Sequence, residues 1–255
     1  MTPSGSLRIV GLGPGSSDWI TPEAALALEC ATDIVGYEPY VARVPKRPGQ
    51  QRHGSDNRDE MDRARRALQL ASEGHDVAVV SGGDPGVFAM AAAVFEAIEN
   101  GEASWRNLDI HVQPGVSAMQ AAAARLGAPL GHDFCAISLS DNLKPWSIIE
   151  RRLIAAAEGD FVIALYNPAS KARPTRIEDA FRILRSRKAA TTPVAFARAV
   201  GRADERIALT ALGDADLSSV DMSTLVLIGS SETRLIPRAH QRPWMFTPRS
   251  YGTAR

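Results

Sequence analysis

Three short apolar runs in this chain each stop at a glycine-bearing turn, and that repetition constrains the fold more than any other feature. Residues 7–10 lead into Gly11-Leu12-Gly13-Pro14-Gly15. Residues 77–80 lead into Ser81-Gly82-Gly83-Asp84-Pro85-Gly86, and residues 110–113 into Pro114-Gly115-Val116-Ser117-Ala118. The runs read as buried strands, and the alanine-rich stretches after the turns read as helices. Alternation at this period predicts an α/β fold with a mainly parallel sheet and right-handed crossovers. In an open sheet of that kind ligands bind outside the carboxyl ends of the strands. The turns are therefore expected to converge on one cleft, where glycine lets backbone N–H groups come close to a ligand.

The pattern predicts strands at 7–13, 33–37, 77–80 and 108–113, and helices at 22–31, 58–73, 86–99 and 117–126. Thr21 and Pro22 have the residue types of an N-cap and a first helical position, and Gly74 those of a helix stop. Residues 38–57 read as a loop, broken by Pro39, Pro45 and Pro48. After turn signals at 127–133 come expected strands at 134–139, 161–166, 194–199, 206–211 and 224–228, with helices at 146–158 and 173–187. The last two strands have no clear helix between them, which predicts antiparallel pairing. Two α/β domains follow, 1–116 and 117–240, hinged near 115–133. From Pro237 the chain is rich in proline and arginine and reads as an extended arm, with 241–255 as a tail.

Composition excludes several functions. Lys and Arg total 29 and so do Asp and Glu, so no broad attraction to nucleic acid or to a membrane surface is expected. No run approaches the roughly 18 apolar residues of a membrane span. The start, Met-Thr-Pro-Ser-Gly-Ser, lacks a signal layout, so a cytoplasmic location is expected. Cys30, Cys135 and the five histidines show no metal-ligand spacing, and no metal is expected. The first turn departs from a dinucleotide fingerprint, with Ser16 at the third glycine position and Pro14 removing an N–H. Asp33 starts its strand, whereas a ribose-binding acid ends one. Asp84 before Pro85 also fits the N-cap of a helix, and Ser117 with Gln120 fits a capping box.

In the second half, Ser138-Leu139-Ser140-Asp141-Asn142, Tyr166-Asn167-Pro168-Ala169-Ser170-Lys171 and Phe196-Ala197-Arg198-Ala199 end strands in polar groups. Taken in order, these motifs and the glycine turns resemble the tetrapyrrole (corrin/porphyrin) methylase family over about residues 7 to 230. The SLSD and YNP-x-S-K pair is similar to the branch that methylates precorrin-3B at carbon 17 with ring contraction to precorrin-4, in cobalamin biosynthesis. The resemblance implies a homodimer of two-domain α/β subunits with S-adenosylmethionine in the cleft between domains and S-adenosylhomocysteine as product. It implies cofactor contacts from Leu12, Pro14, Gly82, Gly83, Asp84, Val87, Ser117, Ala118, Tyr166, Asn167, Arg198, Ala199 and Thr210. Its tetrapyrrole substrate carries many carboxylates, for which Ser140, Asn142, Lys171 and Arg173 are candidate contacts, with Arg43, Lys46, Arg47 and Arg52 as a possible basic rim. Methyl transfer needs alignment rather than a nucleophilic side chain. Ring contraction moves protons, and Asp141 and Asp84 are the candidate acid–base groups. A cobalt-bearing or different precorrin as substrate, and a binder without turnover, remain the alternatives.

Overall fold

The computed structural model describes residues 5–56, 59–169 and 174–251. The chain divides into two compact units, Met1–Ala118 and Met119–Arg255.

The first unit contains β1 (Ser6–Gly11), α1 (Pro22–Cys30), β2 (Asp33–Tyr37), α2 (Glu38–Val41), β3 (Gln51–Ser55), α3 (Glu60–Ser72), β4 (Asp76–Ser81), α4 (Met90–Asn100) and β5 (Asp109–Gln113); α5 (Ala118–Leu126) begins at its end. Its five strands are all parallel, in the order β3-β2-β4-β1-β5. Side chains alternate across the sheet. Leu7, Ile9, Val35, Val77 and Val79 pack with Ala64, Leu68 and Val94 of α3 and α4. Val10, Ile34, Ala78 and Val80 pack with Ala24 and Leu28 of α1 and Val41 of α2. Burial on both faces is why β4 is an uninterrupted apolar run rather than an alternating one. At about 2 kcal/mol per buried aliphatic side chain, this two-sided core dominates the unit's stability.

Several expected local signals are realised. Thr21 caps α1, its Oγ1 accepting from Ala24 N at 3.1 Å, with Pro22 at the first position. Gly74 follows α3 with φ +98°, a left-handed value that suits glycine.

Two expectations for this unit are corrected. Residues 38–56 are not all loop: they contain α2 and the edge strand β3, which pairs parallel to β2 from Gln51↔Asp33 to Ser55↔Tyr37. Gln-Arg-His-Gly-Ser has no apolar face because an edge strand is held by its backbone ladder. The helix after the second glycine turn starts at Met90, not Gly86. Phe88 at φ +52° interrupts the helical path, so Asp84 is a turn residue and not the cap of α4.

The second unit contains β6 (Gly127–Ala128), β7 (Phe134–Ser138), α6 (Trp146–Glu158), β8 (Val162–Tyr166), α7 (Arg176–Arg185), β9 (Pro193–Arg198), β10 (Arg206–Ala211), β11 (Thr224–Ile228), β12 (Arg234–Arg238) and β13 (Gln241–Phe246). Its main sheet runs β10-β9-β11-β8-β7. Only β7 and β8 pair in parallel; the other pairs are antiparallel, as the missing crossover helix predicts. Ile137, Ile163, Leu165, Val194, Val226 and Ile228 form one core with Ile149, Leu153, Phe181 and Leu184 of α6 and α7.

The expected C-terminal arm is also corrected. β12 and β13 form an antiparallel hairpin, and β13 pairs with β6 at Met245↔Gly127. Met245 is fully buried, and Tyr251 Oη donates to Asp160 Oδ2 at 3.1 Å. The hairpin escapes a sequence reading because its left-handed residue is His240 (φ +57°), not glycine or asparagine.

Candidate functional site

The carboxyl edge of the first sheet carries the glycine turns, and they are welded to one another. Gly13 and Gly83 exchange backbone hydrogen bonds at 3.1 and 3.0 Å, and Leu12 N donates to Ser81 O at 2.9 Å. Asp84 joins the second turn to the third: Oδ1 accepts from Gly86 N at 2.8 Å and Oδ2 from Gly115 N at 3.0 Å. A Cβ on Gly11 would lie 2.8 Å from Gly115 Cα, and one on Gly115 only 2.4 Å from Gly83 O. A Cβ on Gly82 would strike the Tyr40 ring at 2.7 Å. Close packing of backbone on backbone, and of Tyr40 on Gly82, therefore accounts for these three glycines without any ligand. Gly83 differs. It needs glycine for its φ of +72°, but a Cβ there would meet nothing nearer than 3.8 Å. It would be in ordinary van der Waals contact with the backbone of Val116, Ser117 and Ala118 at 3.8–3.9 Å, so the third turn tolerates a methyl there.

Around this edge Leu12, Pro14 and Ser117 are buried, and Val87 and Ala118 are partly exposed. The basic rim expected from the sequence is largely committed elsewhere. Arg43 Nη2 donates to the carbonyls of Leu12, Gly13 and Gly15 at 2.9, 3.0 and 2.8 Å, so it shapes the first turn from behind. Arg52 donates to Val41 O, Val44 O and Pro45 O. Arg47 pairs with Glu29, and Lys46 is exposed. Lys171 and Arg173 lie outside the described residues.

Asp33 is at the opposite, amino end of the sheet, 2% exposed, which removes it as a ribose-binding acid. Its carboxylate bonds His53 Nε2 at 2.7 Å, His75 Nδ1 at 2.8 Å and Thr32 Oγ1 at 2.8 Å. Burial alone would raise its pKa, but the bonds to His53, Thr32 and His75 outweigh burial and hold it below the usual carboxylate value.

In the second unit β7, β8 and β9 run in the same direction, so Ser138, Tyr166 and Arg198 end on one edge. Asn167 (φ +52°) donates from Nδ2 to Ser138 Oγ at 2.9 Å, and Ser140 N donates to the same oxygen at 3.3 Å. Tyr166 Oη accepts from Met119 N at 3.1 Å. Arg198 is held by Asp204 (2.7 Å) and Asp221 (2.9 Å), whose hydrogen bonds raise its pKa. Ala199, buried at φ +51°, donates its N–H to Ser223 O. Left-handed non-glycine residues are uncommon, and two of them close strands on this one edge. Asp141 receives both Nε (2.9 Å) and Nη2 (2.6 Å) of Arg176, and the guanidinium lies 4.7 Å from the Trp146 ring centroid. Asn142 is exposed. Thr210 is not brought to this edge: it pairs with Val194, whereas Arg198 pairs with Arg206 at the other end of β9.

Sequence reasoning missed Tyr40 and Arg176 at these edges, and took Trp146 as part of a motif without giving it a place in the site. Arg176 is one of three arginines on the amphipathic helix α7, with no spacing signature to set it apart. Trp146 did stand next to Pro145 after the SLSD segment, the one available signal.

Glycine turns on the carboxyl edge of a parallel sheet, joined in one chain to a second mixed sheet with polar strand ends, are the arrangement of an α/β protein of the small-molecule-binding class. A family model for tetrapyrrole (corrin/porphyrin) methylases matches residues 6–216, and the chain belongs to that family. The resemblance carried by the turn motifs is borne out. Among similar proteins, the precorrin-3B C(17)-methyltransferase of Sinorhizobium sp is 58% identical over 251 residues, covering 98% of this chain and 99% of that protein. The probable cobalt-factor III C(17)-methyltransferase of Salmonella typhimurium is 43% identical, covering 96% of this chain and 99% of that one. The crystal structure of the methyltransferase CobJ superposes with a TM-score of 0.91 at 52% identity, covering 96% of this chain and 100% of that one. No helix among the described residues is long and apolar enough to cross a membrane.

Proposed function

We propose that this chain is an S-adenosylmethionine-dependent C-methyltransferase that methylates precorrin-3B at carbon 17, with ring contraction to precorrin-4, in cobalamin biosynthesis. The observation that carries the reading is the 58% identity to a precorrin-3B C(17)-methyltransferase along essentially the whole of both chains. Identity to the cobalt-factor III relative is lower, at 43%, which favours the metal-free substrate.

Glycine turns at the carboxyl edge of a parallel sheet suit a ligand that approaches backbone, and this supports placing the cofactor there. Leu12, Pro14, Gly82, Gly83, Asp84, Val87, Ser117 and Ala118 are the first unit's proposed contacts. Tyr166, Asn167, Arg198 and Ala199 are the second unit's. When bound, S-adenosylmethionine supplies an electrophilic methyl group on a sulfonium. The chain's own task is to hold the nucleophilic ring carbon in line with that methyl, and a rigid, mutually bonded set of turns suits such positioning. Of the two candidate acid–base groups, the geometry favours Asp141. Both Asp84 oxygens accept backbone N–H groups and tie two turns together, a structural role, whereas Asp141 takes two donors of Arg176 from α7. Asp141 is therefore assigned the acid–base role in contraction. Ser140 and Asn142 are proposed substrate contacts beside it. A cytoplasmic homodimer, the assembly that the family resemblance implies, completes the reading.

The test is mass and absorption spectroscopy of the pigment formed from purified protein, S-adenosylmethionine and either precorrin-3B or cobalt-factor III. A gain of one methyl with a contracted chromophore, from precorrin-3B only, is expected. Turnover of the cobalt substrate alone refutes the substrate assignment, and cofactor binding without any turnover refutes the enzyme reading.

A further inference from the structure

Helix α3 carries a cation that the packing of the first unit does not explain. Arg63 is 4% exposed. Its Nε donates to Ser55 Oγ at 3.0 Å, its Nη2 to the Asp56 carbonyl at 2.6 Å and its Nη1 to Met90 Sδ at 3.2 Å. None of the ion pairs among the described residues includes it; Glu60, Asp59 and Asp56 act on it only from a distance, and burial pushes its pKa down. A buried charge without a paired partner is expensive to keep. Arg43 and Arg52 also turn inward, but both donate to backbone carbonyls and both are less buried. Arg63 alone spends a guanidinium donor on a thioether, which is a weak acceptor at the end of a flexible chain.

Its place in the fold adds a second observation. Ser55 ends β3, and Ser81 ends β4 and accepts from Met90 N at 3.3 Å. Arg63 therefore sits at the carboxyl edge of the parallel sheet, behind the turn that runs from Gly82 to Ala89. We infer that Arg63 is a ligand-binding residue: Met90 moves aside and the guanidinium takes a carboxylate of the bound ligand at the carboxyl ends of β3 and β4. The inference rests on the methyltransferase reading, which offers two sources of that carboxylate. One is the amino-acid end of S-adenosylmethionine; the other is an acetate or propionate arm of the tetrapyrrole. Charge-assisted bonds of this kind are the strong ones, and arginine's fork matches a carboxylate.

The experiment compares wild type with Arg63→Met, an apolar chain of similar length. The change leaves Ser55 Oγ and the Asp56 carbonyl without their donor, so the thermal midpoint is expected to fall somewhat, and binding is measured well below it. If the cofactor supplies the carboxylate, the Kd of S-adenosylhomocysteine by calorimetry rises about tenfold, while that of methylthioadenosine, which lacks the amino-acid end, is unchanged. If the substrate supplies it, S-adenosylhomocysteine binding is unchanged and KM for precorrin-3B rises about tenfold at similar kcat. Equal Kd and KM in variant and wild type overturn the inference. Should Arg63→Met fail to fold, Arg63→Gln keeps a donor for Ser55 and is judged by the same readings. A wild-type protein that neither binds S-adenosylhomocysteine nor turns over precorrin-3B overturns the methyltransferase reading itself, and the Arg63 inference falls with it.

Discussion

Replacing Gly115 by alanine separates two explanations of the glycine turns, that they pack on each other or that they receive a ligand. The new Cβ would lie 2.4 Å from Gly83 O and 3.0 Å from Gly11 Cα, both backbone atoms with no flexible end to give way. Ordinary contact needs about 3.4 Å or more, so the second and third turns must part by roughly 1 Å. Overpacking of this kind costs about 1–3 kcal/mol. The separation also stretches the Asp84 bond to Gly115 N, now 3.0 Å, and the Gly13–Gly83 pair. Losing the charged bond and weakening the others adds about 2 kcal/mol. The expected loss is therefore about 3–5 kcal/mol, or about 10 °C in thermal midpoint for a chain of this size. Gly83→Ala is the control. Its Cβ meets nothing within 3.8 Å, and only the left-handed backbone, about 1–2 kcal/mol, opposes it. Its methyl would instead occupy the space assigned to the cofactor, so affinity for S-adenosylhomocysteine should fall at least about tenfold. Thermal unfolding and calorimetric titration of both variants decide the matter. A Gly115→Ala protein as stable as wild type would refute the packing argument, and unaltered binding by Gly83→Ala would refute the placement of the ligand.

Asp33→Asn removes a charged acceptor shared by two histidines and should cost about 2–4 kcal/mol at neutral pH, measured by urea unfolding. Because the native pKa of Asp33 is held below its ordinary value, its contribution is present above that ordinary value, about 4, and is lost as pH falls through the native one. Wild type should therefore lose its advantage over the variant on acidification, and a difference independent of pH would count against this assignment. Ala199→Gly relieves a left-handed alanine at φ +51° and should gain about 0.5–1 kcal/mol in the same assay, whereas a loss would mean the methyl packs usefully. Asp141→Asn should leave S-adenosylhomocysteine affinity within about twofold while methylated, uncontracted pigment accumulates; normal contraction would remove Asp141 from the proton-transfer role.

The sequence was most legible where local and tertiary demands coincide. The strands β2, β4, β10 and β11 and the helices α1 and α6 show as apolar runs or helical periods bounded by caps and glycine, because burial and backbone signals there agree. It was least legible where backbone pairing does the holding. β3 and the β12–β13 hairpin have polar or proline-containing strands, and the hairpin turns at a histidine. The Asp84 segment shows a third case. Asp-Pro-Gly has the local form of a helix start, but the carboxylate is claimed by Gly86 and by Gly115 of the next turn, thirty-one residues away.

That conflict bears on how such sites are read. A glycine in a turn announces that something stands where a Cβ would be, without saying whether it is the chain or a ligand. Here Gly11 and Gly115 answer to neighbouring backbone and Gly82 to the Tyr40 ring, leaving Gly83 as the position where a Cβ would meet only ordinary contacts, 3.8 Å or more away. The arginines divide in the same way. Arg43 and Arg52 bind their own chain's carbonyls, as a structural cation does. Arg63, more deeply buried and set against a thioether, has a donor that a carboxylate would satisfy better than Met90 does. The residues most informative about ligands are therefore those whose local requirements the folded chain leaves incompletely met.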